Sequence, residues 1–129
     1  MAGLNQIGQI SIPVRNLERS IAFYRDTLGM RFLFQAPPGL AFFMCGEVRL
    51  MLAMPEGGEF GAGTSILYYK VDDLQNAFAE IRERGAAVAH EPQLIARMPD
   101  HELWMAFFKD PDENVFGLMS EVRATPAGR

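Results

Sequence analysis

A chain of 129 residues, 49% of them hydrophobic, predicts a single domain that buries about two thirds of its unfolded surface. Its net charge of −4, with no cluster of Lys and Arg among aromatic residues, argues against a nucleic-acid partner. No apolar run approaches the ~20 residues of a membrane span, and the lone Cys45 excludes an internal disulfide and favours a cytoplasmic location.

The first half of the chain predicts a strand, a helix and three further strands. Apolar residues alternate with small or polar ones over Ile7–Val14, and they recur every three or four positions over Asn16–Leu28. Asn16 is a typical helix N-cap, and Gly29 tolerates the positive φ with which many helices end. Short apolar runs then predict strands at Arg31–Gln35, Leu40–Cys45 and Val48–Met54.

The same order of elements begins again after a glycine-rich linker at 55–63. The second set comprises a strand at Thr64–Val71, a helix at Asp73–Arg84 and strands at Ala86–Ala89, Glu102–Phe108 and Asn114–Val122. At an offset of 57 residues, Val14 aligns with Val71, Leu17 with Leu74, Ala22 with Ala79 and Arg25 with Arg82. The repeat predicts one domain over 5–122, built from modules 5–55 and 64–122 and followed by a polar tail at 123–129.

Three stretches of this sequence carry a family resemblance. They are VRNLERSIAFYRDTLGM near the start, VDDL at the second helix and FFKDPDENVFGLM near the end. Together they resemble the vicinal oxygen chelate superfamily, which contains glyoxalases, bleomycin-resistance proteins and extradiol dioxygenases, and the resemblance covers about residues 5 to 121. It implies an α+β fold in which the curved mixed sheets of two βαβββ modules enclose a cleft, usually within a homodimer. It does not specify an activity, because the superfamily includes several kinds of enzyme and also non-catalytic binding proteins.

The resemblance also implies where a divalent metal would be bound. Its ligand positions fall on Gln9, on or near Met51, on Ile66 and on Gly117. Glutamine occurs at the first position in some glyoxalases, but the other three positions supply no nitrogen or oxygen donor. Metal sites of this kind need three or four such donors. We therefore expect no metal ion and no other cofactor.

Strand alternation predicts which side chains surround those four positions. Their neighbours two residues away on the same strands are Ser11, Arg49, Ala53, Tyr68, Lys70, Val115 and Met119. A floor of Met and Ile with hydroxyl and cationic groups at its margin suits a small, largely apolar or planar organic ligand. Arg49 and Lys70 are candidates to bind a carboxylate or phosphate, and a solvated strand-edge charge is an equal alternative for Arg49. The predicted ligand pocket comprises Gln9, Ser11, Arg49, Met51, Ile66, Tyr68, Trp104, Gly117 and Met119.

The two histidines lie between the second helix and the strand that follows. His90 and His101 each neighbour a carboxylate, but neither has the spacing of a metal-binding helix, so both are predicted to be loop residues. His101 is the stronger functional candidate, because the segment RMPDHELW resembles a lid that leads into a strand carrying Trp104.

Two functions follow as hypotheses. The first is a metal-independent binding protein, resembling the bleomycin-resistance type, for a small apolar or planar molecule. The alternative is a glyoxalase-, epimerase-, lyase- or dioxygenase-like enzyme. That enzyme would use an atypical site for Zn, Ni, Fe or Mn, or metal-free acid/base chemistry with His101 as the candidate catalytic residue.

Overall fold

A computed structural model describes residues 3–55 and 65–123, and the chain divides into two compact units, Met1–Gly63 (unit 1) and Thr64–Arg129 (unit 2). Each unit consists of a strand, a helix and three further strands that form one four-stranded mixed sheet. The prediction of an α+β fold with two βαβββ modules is therefore confirmed. Of the predicted linker and tail, 56–63 and 124–129 lie outside the described residues. Within the described ranges, no helix is both long and apolar enough to span a membrane.

Unit 1 forms sheet 1, in which one helix covers one face. Its elements are β1 (Gln9–Pro13), α1 (Leu17–Ala22), β2 (Arg31–Ala36), β3 (Leu40–Cys45) and β4 (Val48–Ala53). The strand order is β1-β4-β3-β2, with β1 parallel to β4 and the other pairs antiparallel. Buried residues of the core alternate along the strands on the side of α1, and they are Ile12, Val14, Ala41, Phe43, Leu50 and Leu52. Tyr24, which follows α1, is also buried, with its ring centroid 6.1 Å from that of Phe43.

The helical segment of unit 1 begins as predicted and then widens. The side chain of Asn16 caps it, because Oδ1 accepts a hydrogen bond from Arg19 N at 3.0 Å. Helix α1 continues directly into a π-helical turn over Phe23–Thr27, in which Leu28 N donates to Phe23 O, five residues back, at 3.0 Å. Gly29 then ends the segment with a φ of +68°, as its position in the sequence predicts.

Unit 2 forms sheet 2 with the same topology. Its elements are β5 (Leu67–Lys70), α2 (Leu74–Glu83), β6 (Ala87–Arg97), β7 (Glu102–Lys109) and β8 (Val115–Val122), in the order β5-β8-β7-β6. Asp73 Oδ1 accepts a hydrogen bond from Asn76 N at 3.1 Å, so the caps of the two helices lie at the same 57-residue offset as the sequence repeat. The core on the α2 side contains Leu74, Phe78, Ala106, Phe108, Phe116 and Leu118.

Strand β6 is much longer than the sequence analysis predicts. The sequence predicts that it ends at Ala89, with His90 in a loop, yet the strand continues to Arg97 and its His90 pairs with Phe107 of β7. Pro92 has no N–H and would interrupt a central strand, but β6 is the edge strand of sheet 2. The pairing register also shifts between His90 and Gln93, and a bulge at this point accommodates the proline.

The turn before β8 is built around one buried carboxylate. Asp110 Oδ1 accepts hydrogen bonds from the backbone N–H groups of Asp112 and Asn114, both at 2.9 Å. Its Oδ2 accepts a third bond from Asn114 Nδ2 at 2.9 Å. Glu113 is held at a φ of +66° within this turn. Asp110 thus satisfies backbone amides of the turn, a common role of aspartate in turns.

Replacing Asp110 should destabilise unit 2. Asp110 is 4% exposed, so Asp110→Ala leaves three donors without their acceptor in a largely buried turn. We expect a loss of about 2–4 kcal/mol in the free energy of unfolding, measured by urea denaturation. Glu113→Gln, in the same turn but exposed, should change this free energy by less than about 0.5 kcal/mol. Equal effects of the two substitutions would contradict the assignment.

Candidate functional site

The face of sheet 1 that does not pack on α1, called here the free face of sheet 1, consists of three rows of side chains. The strand register places residues of β2, β3, β4 and β1 side by side in each row. The first row is Arg31, Met44, Arg49 and Gln9; the second is Phe34, Phe42, Met51 and Ser11; the third is Ala36, Leu40, Ala53 and Pro13. None of these side chains belongs to the buried core. Four of the predicted pocket residues, Gln9, Ser11, Arg49 and Met51, therefore lie together on one surface.

A hydrogen bond in the first row fixes the orientation of Gln9. Its carbonyl oxygen Oε1 accepts from Arg49 Nε at 2.9 Å, and its Nε2 lies 3.7 Å from the sulfur of Met51. The guanidinium carbon of Arg49 lies 5.7 Å from the ring centroid of Phe42, within the range of a cation–π contact. Of the predicted metal positions in unit 1, only Gln9 has an oxygen donor, and this oxygen is directed at the guanidinium of Arg49.

The second row provides an aromatic platform. The rings of Phe34 and Phe42 are 4.9 Å apart at their centroids with an interplanar angle of 31°. Phe34 is 50% exposed, and Met51 lies beside Phe42 on β4. The adjacent Phe43 points into the core, so the Phe42–Phe43 pair contributes one ring to each face, as strand alternation requires.

On the face of sheet 2 that does not pack on α2, called here the free face of sheet 2, two aromatic rings cover Gly117. Tyr68 and Phe107 flank Gly117 on the neighbouring strands β5 and β7, and their rings meet edge to face with centroids 5.8 Å apart. A Cβ atom at Gly117 would lie 2.9 Å from Tyr68 Cδ2 and 3.0 Å from Phe107 Cε1, closer than carbon atoms pack. Met119 pairs with Met105 on the same face, and Ile66 lies one residue before β5.

The side chains at the four predicted metal positions do not fit a divalent cation. Ile66 and Gly117 have no donor atom, and the sulfur of Met51 is a poor ligand for hard cations. Gln9 Oε1 already accepts a hydrogen bond from a guanidinium, whose charge would repel a metal ion. Over 3–55 and 65–123, no group of three or more His, Cys, Asp or Glu side chains is arranged to hold a metal.

Trp104 lies on the opposite face of sheet 2 from the other pocket residues of that unit. It pairs with Ser120, whereas the next residue, Met105, pairs with Met119. Trp104 Nε1 donates to Glu102 Oε1 at 3.2 Å, and Trp104 lines a depression beside the first turn of α2. Its inclusion with Tyr68, Gly117 and Met119 is therefore corrected, because side chains of consecutive residues on a strand point to opposite faces.

His101 lies in the tight turn between β6 and β7. Its Nδ1 is 2.7 Å from Asp100 Oδ1, and Arg123 Nη1 donates to Asp100 Oδ2 at 2.7 Å. The hydrogen bonds from Arg123 and then from His101 lower the pKa of Asp100 to about 2. An open depression of ≈ 460 Å³ surrounds the three residues, lined by 97–102 together with Val122 and Arg123. No residue of the predicted ligand pocket contributes to it.

Several residues of the free faces were not in the predicted pocket. They are Arg31, Phe34, Ala36, Leu40, Phe42 and Met44 in unit 1 and Met105 and Phe107 in unit 2. Alternation along a single strand is enough to identify those on β3 and β7, which are Leu40, Phe42, Met44, Met105 and Phe107. The register between strands, which joins Arg31 to Met44 and Arg49, depends on turns and on a bulge between Phe32 and Phe34 that sequence patterns do not specify.

Comparison with known proteins identifies relatives that match most of the chain. The family model of the Glyoxalase/Bleomycin resistance protein/Dioxygenase superfamily matches residues 6–118. Uncharacterized protein YraH of Bacillus subtilis is 28% identical over 126 residues, covering 85% of this chain and 94% of that protein. A bleomycin resistance protein of Staphylococcus aureus is 27% identical over 130 residues, covering 88% and 96%. The crystal structure of TnmS3, an antibiotic binding protein from Streptomyces sp. CB03234, matches with a TM-score of 0.75 at 26% identity, covering 94% and 99%.

Adding a methyl group at Gly117 should disturb the aromatic pair above it. Gly117→Ala places Cβ against Tyr68 and Phe107, so we expect a loss of about 1–3 kcal/mol in the free energy of unfolding. The loss should be smaller in a Tyr68→Ala background, where one of the two rings is absent. Urea denaturation of the four proteins in this cycle measures the coupling, and strictly additive effects would contradict the packing described.

The pKa of Asp100 should depend on Arg123. A carboxyl group whose pKa is lowered in the folded protein stabilises it above the ordinary carboxyl pKa, and this contribution is lost as the pH falls through about 2. In Arg123→Gln the pKa of Asp100 should lie closer to the ordinary carboxyl value, because the hydrogen bond from Arg123 is the largest cause of its lowering. The stabilisation by Asp100 should therefore be lost at a higher pH than in the wild type. Carboxyl ¹³C NMR of Asp100 measures the shift. Arg97→Gln, in the same depression but paired with Glu102, should leave the Asp100 titration unchanged, and an equal shift in both variants would refute the assignment.

Proposed function

Because the chain belongs to the Glyoxalase/Bleomycin resistance protein/Dioxygenase superfamily, we propose that it is a metal-independent binding protein for a small, planar organic molecule. Two of its relatives support binding over catalysis. One is named a bleomycin resistance protein, and the solved structure of another is described as an antibiotic binding protein. At 27% and 26% identity they do not specify the ligand of this chain.

The aromatic row on the free face of sheet 1 is the observation that carries the proposal. Phe34, Phe42 and Met51 lie side by side on a sheet face outside the buried core of unit 1. Apolar side chains placed together on a surface favour contact with an apolar partner, since contact removes their area from water. A tilted ring pair offers a planar ligand an extended surface on which to stack.

The contact between Gln9 and Arg49 supports independence from metal. Ligation by Gln9 Oε1 would require breaking a 2.9 Å hydrogen bond and bringing a divalent cation next to a guanidinium. Both steps cost free energy, and the other three positions offer no nitrogen or oxygen ligand in return. A binding function needs no metal at this position.

The enzyme alternative is favoured by one observation, the contact between Asp100 and His101. A carboxylate 2.7 Å from Nδ1 orients the imidazole, an arrangement that general-base histidines use. The depression around His101 would then be the site of reaction. Turnover of a candidate substrate that persists after chelation and is lost in His101→Asn would favour this alternative.

The proposal includes two further expectations. The resemblance implies that the protein acts as a homodimer, which analytical ultracentrifugation measures directly. A reducing, cytoplasmic location is consistent with the single cysteine of the sequence, the free Cys45 at the end of β3.

Binding of planar probes should be saturable, should survive chelation and should depend on Phe34. We expect 2-naphthalenemethanol to bind after exhaustive dialysis against EDTA, as measured by isothermal titration calorimetry. Phe34→Ala should weaken binding by about tenfold, because an aromatic contact of this kind contributes about 1–3 kcal/mol.

Val122→Ala provides the matched control for Phe34→Ala. Val122 is a strand residue of similar exposure, 47%, that lines the depressions around Trp104 and His101 instead of the free face of sheet 1. This variant should bind like the wild type. Loss of binding on chelation, or in Val122→Ala but not in Phe34→Ala, would contradict the proposed site.

A further inference from the structure

We propose that the free face of sheet 1 selects planar aromatic molecules that carry an anionic group, and that Arg49 binds this group. The inference rests on the proposed function and goes further, since it specifies the charge of the ligand and the residue that recognises it. It follows from how Arg49 is held, from the charges around it and from the spacing of the rows.

Two contacts hold the guanidinium of Arg49 in place. Its Nε donates to Gln9 Oε1 at 2.9 Å, and its guanidinium carbon lies 5.7 Å from the ring centroid of Phe42. Within the described ranges neither terminal nitrogen of Arg49 donates to a protein acceptor. Those two nitrogens form the edge of the guanidinium that matches a carboxylate in bidentate geometry, and fixing it in advance lowers the entropy cost of binding.

The first row carries a second cation and no acid. Arg31 lies across Met44 from Arg49, at a separation of about 10 Å for two strand spacings. In the part of the chain that the structure describes, no carboxylate forms an ion pair with Arg31 or Arg49. Other arginines do have such partners; Arg123, for example, contacts Asp100 at 2.7 Å. Two cations without an ion-pair partner among the described residues, beside an apolar platform, favour an anionic ligand and disfavour a cationic one.

The row spacing matches the size of such a ligand. Side chains on one face of a strand recur every two residues, about 7 Å, so Arg49 and Phe34/Phe42 lie in adjacent rows. A fused-ring system stacked on Phe34 and Phe42 therefore places a directly attached carboxylate beside the guanidinium. The third row, Ala36, Leu40, Ala53 and Pro13, offers small apolar side chains to the far end of the ring system.

Calorimetric titration with three probes of one shape tests the inference. The probes are 2-naphthoate, the neutral 2-naphthalenemethanol and the cationic 2-naphthalenemethylammonium. The wild type should bind the carboxylate at least ~10-fold more tightly than the alcohol, because charge-assisted hydrogen bonds are stronger than neutral ones, and should bind the ammonium most weakly. In Arg49→Gln the carboxylate and the alcohol should bind with similar affinity, so that the preference for the carboxylate is lost.

Arg82→Gln is the matched control. The Arg82 guanidinium lies 5.3 Å from the ring centroid of Phe78 on α2, so the variant removes a cation with a similar aromatic contact outside the proposed site. Preference for the carboxylate should be unchanged in this variant. An equal loss of preference in Arg82→Gln and Arg49→Gln would indicate a general effect of net charge and overturn the inference.

The remaining outcomes separate the inference from the proposed function. Saturable binding of the alcohol with no preference for the carboxylate would overturn the inference and leave the proposed function in place. Absence of saturable binding by all three probes would overturn the proposed function itself. If Phe34→Ala and Arg49→Gln change the sedimentation of the protein instead of its probe affinities, the face contacts a second copy of the chain, and the inference is also overturned.

Discussion

Each four-stranded sheet of this protein is paired with a single helix, and that helix can cover only one of its two faces. Strand geometry sends successive side chains to opposite faces, so every second residue is placed away from the helix. In unit 1 the helix-facing set includes Phe43, Leu50 and Leu52, all essentially inaccessible to solvent. The other set includes Phe42, Arg49 and Met51, which are more accessible. Fold stability and candidate function are thus assigned to alternate residues of the same strands.

This division allows chemistry to change on one face without disturbing the core. Gln9, Arg49 and Met51 interact with one another and with Phe42, and none of them packs among the buried residues of α1 and β1–β4. On sheet 2, the pair Tyr68 and Phe107 encloses Gly117 in the same way. The resemblance implies metal ligands at Gln9 and at or near Met51, where in this chain Gln9 instead contacts Arg49 and Met51. The fold is therefore the one that the resemblance implies, while the side chains on the free face of sheet 1 differ from the metal ligands that it implies.

Much of the fold could be predicted from the sequence because its signals are local. Asn16 and Asp73 mark the helix starts, Gly29 and Gly85 mark their ends with positive φ, and the apolar period distinguishes helix from strand. The length of β6 could not be predicted, since Pro92 is tolerated only because β6 is at the edge of the sheet, which is a tertiary property.

The candidate site was predictable only where alternation along one strand sufficed. Alternation places Gln9, Ser11, Arg49 and Met51 on one face, and the strand register pairs Gln9 with Arg49 and Ser11 with Met51. Proximity of Trp104 to the 97–102 segment does not determine the face on which it lies; its parity in β7 does, and that parity places it opposite Met105. Likewise, the aromatic rings over Gly117 come from two neighbouring strands, and no pattern within β8 reveals them.

The π-helical turn at Phe23–Thr27 accounts for a difference of one residue in length between the helical segments of the two units. The helix caps Asn16 and Asp73 are 57 positions apart, whereas the closing glycines Gly29 and Gly85 are 56 apart, so the first helical segment contains one additional residue. A hydrogen-bonded ring that closes five residues back holds one residue more than an α-helical turn, and Leu28 N makes such a bond to Phe23 O. A single-codon insertion or deletion is thereby absorbed within one turn, and the start of the helix, its final glycine and the strand that follows keep their places.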